Sequence, residues 1–368
     1  MNVRAPHDLR TPPPAASASE RPREIPAVEV SVCRTLPAEY TAYQESRADA
    51  GIFHDGRWGQ VMNRAYGNDA FYLLARRGAA VVGVLQLVRQ KSLLLGSHLC
   101  SLPYMDGAGI VADDDDACGR LMTAARELMT RLRARWVELR QYESVCDETP
   151  DRLDKVTLIM PLPSTTEELW RQIPSKPRNQ IRKAQKAGTL GQCGGGELLE
   201  EFYQVYRRTM RDLGSPAHSR RFFEEIVQTF SGQTRIFIQR DMQRPLAAAL
   251  TLMDGKTLRV PWAGSDWRYR HLAVNMLLYY DMMCDACQRG LTLMDFGRST
   301  RGSGTYEFKA RWGAQEHQLH WQYLLPPGQS MPALRADNPR FHLARSCWKH
   351  LPLNLASALG SRIIAKLS

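Results

Sequence analysis

Between Thr234 and Met294 the chain sets out one order of elements: three short strands, a long helix and a further strand. The strands are Thr234–Gln239, Pro245–Met253 and Thr257–Ala263, the last two joined by the turn pair Asp254-Gly255. A helical pattern spans Arg270–Arg289, and the apolar run Leu291–Met294 breaks at Asp295. Strands at hairpin spacing followed by a helix and one more strand close as a mixed sheet with helices on it. The first half repeats the grammar. Val28–Leu36 reads as a strand and Pro37–Ala50 as helical; Phe71–Leu74 and Ala79–Arg89 are split by the hairpin signal Arg76-Arg77-Gly78. Strand Leu93–Leu102, a helix opened by Asp113–Asp116, and strand Trp136–Arg140 follow. The repeat is one of pattern and not of readable sequence. At 368 residues, the chain exceeds ordinary single-domain size, so two such units are expected.

Between them, Val156–Leu162 reads as a strand, and Ser164-Thr-Thr-Glu167 reads as a capping box for the next helix. The apolar content of 43% and charged content of 24% are those of a globular chain with a real core. No apolar stretch approaches the about 20 residues that span a bilayer, and the Pro-, Ala-, Ser- and Arg-rich segment 1–28 reads as a disordered leader. The eight cysteines lack framework spacing. Cys284 and Cys287 form C-x-x-C inside a helical pattern with no second pair, which reads as core packing and implies no metal. Free thiols suit the cytoplasm. A net charge of +11 favours anionic partners without choosing among nucleic acid, nucleotide-linked sugars and a membrane surface. There is no G-x-S-x-G, H-E-x-x-H or P-loop.

Two basic segments carry the chemistry. After Asp295 comes Phe-Gly-Arg298-Ser-Thr-Arg-Gly-Ser-Gly-Thr-Tyr306-Glu307-Phe-Lys309-Ala-Arg-Trp-Gly313, where cations on a glycine-containing loop suit an anionic group. If this segment is a strand, Glu307 and Lys309 share a face. Asp295 and Arg298 either position substrate or brace the loop. The second segment, Lys176–Gly188, holds Lys176, Arg178, Arg182, Lys183 and Lys186 with no acid. Arg178, Arg182 and Lys186 recur every four residues as one helical stripe, opposite Ile181, Ala184 and Ala187. This stripe is either a solvated face or a phosphate-binding one. Asp106, in Asp-Gly, reads alone as a turn residue.

The run Asp295-Phe-Gly-Arg-Ser with Phe308-Lys-x-x-Trp-Gly313, the basic helix from Lys176, and Ser101-Leu-Pro-Tyr-Met-Asp-Gly-Ala-Gly109 together resemble FemAB-type acyltransferases. Their order and spacing agree over roughly residues 30 to 325, and the style is nearest the branch beside exosortase/PEP-CTERM exopolysaccharide systems. The resemblance implies an α/β (α+β) fold of two GNAT-like domains, each a mixed, mainly antiparallel twisted sheet flanked by helices. The expected boundaries are residues 29–155 and 156–328, followed by a basic amphipathic tail over 329–368. It implies acyl or aminoacyl transfer to an amine of a cell-envelope or exopolysaccharide precursor. Lys309 would stand near the transferred acyl group, Glu307 would restrain it or act as a base, and Asp106 would face the acceptor. Lys176, Arg178, Arg182, Lys186, Asp295, Arg298, Tyr306, Trp262 and Asn275 would bind substrate.

The donor would be a cosubstrate, aminoacyl-tRNA or acyl-CoA, with no tightly bound cofactor. Coenzyme A users place a Gly-rich loop before the helix that follows the central strands. Here the segment reads Asp266-Trp-Arg-Tyr-Arg-His-Leu-Ala273, which weakens that donor. The implied partners are a phosphorylated anionic substrate, tRNA, and a membrane surface met by the tail. The tail, basic and amphipathic but interrupted by Pro352, either lies on a membrane or packs back on the enzyme. The implied location is the cytoplasm, at the inner face of the membrane.

Overall fold

The computed structural model describes residues 26–92, 96–332 and 345–367; most of the expected leader lies outside them. In chain order the first half gives β1 (Val28–Cys33), α1 (Ala38–Ser46), α2 (Arg57–Tyr66), β2 (Ala70–Arg77), β3 (Ala80–Ser92), β4 (Gly96–Cys100), β5 (Val111–Ala112), α3 (Asp115–Arg131) and β6 (Val137–Gln141). Then follow β7 (Asp151–Arg152), β8 (Lys155–Pro161), α4 (Thr166–Gln172), α5 (Ser175–Lys186), β9 (Leu190–Gly194), α6 (Leu199–Leu213) and α7 (Arg220–Thr229). The last part gives β10 (Thr234–Arg240), β11 (Pro245–Asp254), β12 (Thr257–Ser265), α8 (Val274–Gln288), β13 (Leu293–Thr300), α9 (Gly304–Ala310), β14 (Gln315–Gln318) and β15 (His320–Leu324). A helix over Leu353–Leu367 ends the described chain.

Two mixed sheets result. One runs β1-β2-β3-β4-β6-β15-β7 with β5 beside β3, and the other runs β14-β8-β13-β12-β11-β10-β9. Among the described residues only β4 with β6 and β12 with β13 pair in parallel. β15 lies within the span 156–328 expected for the second unit, yet it pairs with β6 in the first sheet, Trp321 opposite Arg140 and Tyr323 opposite Glu138.

Local chemistry explains most element boundaries. Asp114 caps α3 by accepting from Ala117 N, with Asp115 and Asp116 in the first turn where the helix dipole favours acids. At α4 the cap is Thr165, which accepts from Glu168 N, so the capping signal is read one residue later than Ser164. α5 begins with Pro177 in its first turn and ends before Gly188, whose φ is +72°. Ile181 and Ala184 are buried against the core, while Ala187 at the helix end is exposed. The expected helix 270–289 is interrupted: Trp267–Leu272 is a 3-10 turn, and Ala273 at φ +58° breaks it from α8.

α3 covers one face of the first sheet through Leu121, Ala125 and Leu128. In the second sheet, α5 and α8 cover one face and α6 with α7 the other. That second layer is shared between the units. Ile52, Phe53, Trp58 and Met62 of the first half pack with Phe222, Phe223, Phe230 and Trp262 of the second. Trp58 is fully buried, its ring 4.7 Å from that of Phe230 and its indole N–H donating to Ile52 O at 2.8 Å. Truncating such a side chain costs about 3–5 kcal/mol. The terminal helix packs back on β3 and α6, and Gly360 lies close enough to Ala217 N that a Cβ would sit 2.9 Å away. The described part of the tail is therefore docked on the protein. Residues 333–344 of the expected tail lie outside the described residues.

Candidate active site

β12 and β13 run side by side only from Thr257 to Arg259 and from Leu293 to Asp295, and beyond that no further pairs form. On the β8 side, the β13 register shifts between Asp295 and Arg298. Gly297, at φ +75°, makes this possible: a Cβ there would stand 2.9 Å from Val260 O. The loop after β13 ends at Ser303, whose hydroxyl accepts from Tyr306 N and starts α9. This turn returns Lys309 toward the parted strands. Its Nζ donates to Gly297 O at 2.7 Å and to Arg298 O at 2.9 Å, and the side chain is buried. Burial lowers the Lys309 pKa to about 8, while Asp295 and Asp106 work to raise it and Arg298 to lower it.

Lys309 lines a cavity of about 120 Å3 built from both halves of the chain. The first half contributes Phe53, Tyr104, Asp106 and Tyr142, and the second Thr157 and Arg259. Asp106 accepts from Arg298 at 2.9 Å, joining the two units across the cavity wall. The Arg298 guanidinium also lies 5.0 Å from the centre of the Trp321 ring, which Arg140 approaches at 4.2 Å. Tyr104 holds a left-handed φ of +72°, a costly position for an aromatic residue, and its hydroxyl donates to Ile364 O of the terminal helix.

Asp295 braces the loop through both carboxylate oxygens. One carboxylate oxygen accepts from Thr157 Oγ1 and from Gly297 N, and the other from Arg259 at 2.8 Å and from Tyr142 Oη at 3.3 Å. Every strong acceptor site on it is occupied by protein, which fixes the bulge beneath Lys309.

Of the residues expected in one site, Lys309, Asp106, Asp295 and Arg298 meet at this cavity. The others do not. The segment carrying Glu307 is helical and not extended, so a two-residue step turns it about 200° from Lys309; Glu307 is exposed. Tyr306 packs partly against the core of the second unit. Trp262 is buried edge-on to Phe222 and Phe223. A register shift between Leu250 and Leu252 separates it from Val260 and turns it to the α7 face. Asn275 is half-buried in the first turn of α8, away from the cavity.

The α5 cations are also elsewhere. Lys176, Arg182 and Lys186 are exposed, Arg178 is half-buried, and none lines the Lys309 cavity. α5 lies on α8 at the outside of the second sheet, so one shared cleft for helix and loop is not formed. Arg182 rests 5.2 Å from the Trp170 ring centre.

Sequence reasoning passed over Tyr142, Arg259, Thr157 and Phe53. The usable signal was Arg259, a lone cation inside an apolar strand, and Tyr142, a polar aromatic just past the end of a strand. Among the described residues no group of acids, histidines and cysteines is arranged to hold a metal, and no helix is long and apolar enough to cross a membrane.

Comparison with known proteins bears on the fold. Residues 175–310 match the acetyltransferase (GNAT) domain family. No curated protein matches the chain significantly. Among solved structures, FemX superposes with a TM-score of 0.59 at 16% identity, covering 80% of this chain and 97% of its own. A tandem GNAT protein from the clavulanic acid biosynthesis pathway gives 0.51 at 11% identity, covering 83% and 100%. L-PGS from Bacillus licheniformis gives 0.51 at 10% identity, covering 93% and 100%. At these identities the likeness is one of fold: two mixed sheets with flanking helices, arranged as in tandem GNAT proteins.

Proposed function

We propose that the protein is an acyltransferase that moves an acyl or aminoacyl group from a carrier onto an amine of a cell-envelope or exopolysaccharide precursor. The observation that carries this reading is the buried Lys309 ammonium. It is anchored by two backbone carbonyls in a segment matching the GNAT domain family, on the wall of a cavity completed by the other half of the chain.

The amine nitrogen attacks the acyl carbonyl and forms the new N–C bond. The carbonyl electron pair moves to oxygen, and the Lys309 ammonium stabilises that charge with the N–H it does not spend on Gly297 and Arg298. Collapse breaks the bond to the carrier oxygen or sulfur, and the proton lost by the amine neutralises the leaving group. Asp295 holds the bulge that aims Lys309, and the Asp106–Arg298 pair keeps the two units in register.

For the carrier, the segment before α8 supports an aminoacyl-tRNA over coenzyme A. Its Arg268 is paired with Asp266 at 2.6 Å, and no glycine stands between Gly264 and α8 to form the loop of backbone N–H groups that holds pyrophosphate. The exposed α5 cations supply an outlying surface for a phosphorylated partner. The cytoplasmic, exosortase-linked setting rests on the resemblance of the three motifs, and the identity of adjacent genes tests it.

The decisive experiment offers purified protein radiolabelled aminoacyl-tRNA and acyl-CoA with amine acceptors, alongside Lys309→Met. Label transfer by the wild type and its collapse in the variant are expected. Equal transfer by both would remove Lys309 from the chemistry; no transfer from either carrier, with ligand binding intact, would leave a binding protein that keeps the fold.

A further inference from the structure

The Lys309 cavity has a volume of about 120 Å3. An acyl carbonyl with its carrier and an incoming amine cannot both lie inside it, so at least one must extend into neighbouring space. Two larger cavities adjoin it. One, of about 290 Å3, shares Phe53, Tyr142 and Arg259 with the Lys309 cavity. The other, of about 540 Å3, shares Asp49, His54, Gly107 and Tyr142 with that one. Tyr142 is the residue common to all three walls.

Its placement is closely determined. The ring stands against Gly107, where a Cβ would come within 1.9 Å of it and where φ is +73°. Its hydroxyl accepts from Arg259 at 2.5 Å and donates to Asp295 at 3.3 Å. Burial and the neighbouring Asp295 push the phenol well above its ordinary value, so it stays a neutral donor across the working range of pH. Tyr142 belongs to the first unit, whereas Arg259 and Asp295 belong to the second. One ring from one unit therefore stands at the junction of the reactive cavity and the two outer ones, held there by hydrogen bonds to the other unit.

We propose that Tyr142 is the specificity-determining gate between an acceptor antechamber, formed by the two outer cavities, and the carbonyl-binding pocket at Lys309. The amine enters from the antechamber, and the girth it can have at the nitrogen is set by the gap that Tyr142 leaves. The proposal rests on the acyl-transfer reading for the identity of the visitor, but not for the existence of the passage.

Its test therefore reads the passage without turnover. Lys309 is carbamoylated with cyanate, a small reagent, and trinitrophenylated with trinitrobenzenesulfonate, a large one. Peptide mass spectrometry gives each rate relative to exposed Lys186. Wild type should exclude the large reagent from Lys309, and Tyr142→Ala should raise the large-to-small ratio at least tenfold. Tyr142→Phe, which keeps the ring, should preserve the discrimination. Glu143→Cys places a thiol in the outer cavity of about 540 Å3, and its adduct with a bulky maleimide should slow labelling of Lys309, with maleimide-treated wild type as control for the native thiols. An unchanged ratio in folded Tyr142→Ala, or unhindered labelling past the Glu143→Cys adduct, overturns the gate while leaving acyl transfer standing. Labelling as expected with no turnover from any carrier would do the reverse.

Discussion

Each sheet contains one parallel pair that parts, and the two partings have opposite fates. In the first sheet β4 and β6 pair only at Leu99–Val137 and Cys100–Glu138. The following segment then fills the opening: Ser101 N donates to Glu138 O at 2.9 Å and Ala108 N to Arg140 O at 2.8 Å. Arg140 crosses the gap to Met105 O and pairs with Glu138 at 2.6 Å, both side chains being buried. In the second sheet β12 and β13 part in the same way, but the bulge at Gly297 turns two carbonyls toward one buried ammonium, and a cavity remains. One opening is closed by the chain's own polar groups, and its loop, carrying Tyr104 and Asp106, becomes a wall of the other. What separates a site from a scaffold here is how the buried polar groups are satisfied, since the strand topology is alike.

The sharpest way to break this comparison is to attack the closed opening. Burial works to raise the Glu138 carboxyl, and the Arg140 guanidinium more than offsets it, leaving the carboxyl below its ordinary range. Glu138→Ala leaves Arg140 buried and unpaired, which should cost about 3–5 kcal/mol of stability. Urea unfolding checks this, while transfer per folded molecule should stay within a few-fold of wild type. A variant of normal stability with lost transfer would show that the first opening is chemical after all. The matching change in the second opening has the inverse signature. Lys309→Met should lower kcat by about 10²–10³-fold, the loss expected when an oxyanion donor goes, with much less effect on the KM of the carrier.

How far the chain's residues reveal this arrangement depends on distance along the sequence. The strand–helix–strand order, the acid-rich start of α3 and the stop at Gly188 are local, and they are readable because the competing conformations differ within one turn, while the cap of α4 falls at Thr165, one residue past the Ser164 expected. Lys309, Asp106, Asp295 and Arg298 could be named because polar residues stand at strand ends and loops, where the motif resemblance also falls. Tyr142 and Arg259 were not legible. Their roles exist only once residues 117 positions apart meet. β15 was hidden for a similar reason: its place beside β6 depends on the chain crossing back to the first unit. The α5 stripe was readable as a helix face, but nothing local says which cavity a helix face borders. That is why its four cations were expected beside Lys309 and lie outside.

The ionisation of Lys309 sharpens the contrast further. Below pH 8 the ammonium is charged in folded and unfolded chains alike, and its burial is a cost to the fold. Between about 8 and the ordinary lysine value near 10.4, the folded chain releases this proton first. The unfolded state then binds more protons and stability rises with pH. Catalysis runs the other way: loss of the charge should lower kcat about tenfold per pH unit above 8. Opposite slopes of kcat and of unfolding free energy from pH 8 to 10, both absent in Lys309→Met, would tie the two to one group. A flat kcat profile over that range would show that the reaction needs no charge at this position.

The smallest effect should come from the surface that the sequence made most conspicuous. Lys176, Arg182 and Lys186 are exposed and, with Arg178, form no ion pair among the described residues, so reversing two of them leaves the core untouched. Arg182→Glu with Lys186→Glu should leave unfolding unchanged and should leave transfer from a truncated carrier, too short to reach α5, at the wild-type rate. Binding of intact tRNA should weaken several-fold, and its dependence on salt should become shallower as phosphate contacts are lost. The pairing of the two carriers makes the result diagnostic. A defect confined to the long carrier assigns α5 to an outlying anchor, remote from the reacting carbonyl and additive to it. A defect with both carriers would mean that the basic helix acts on the Lys309 opening itself, and the division between a chemical opening and its supports would have to be redrawn to include it.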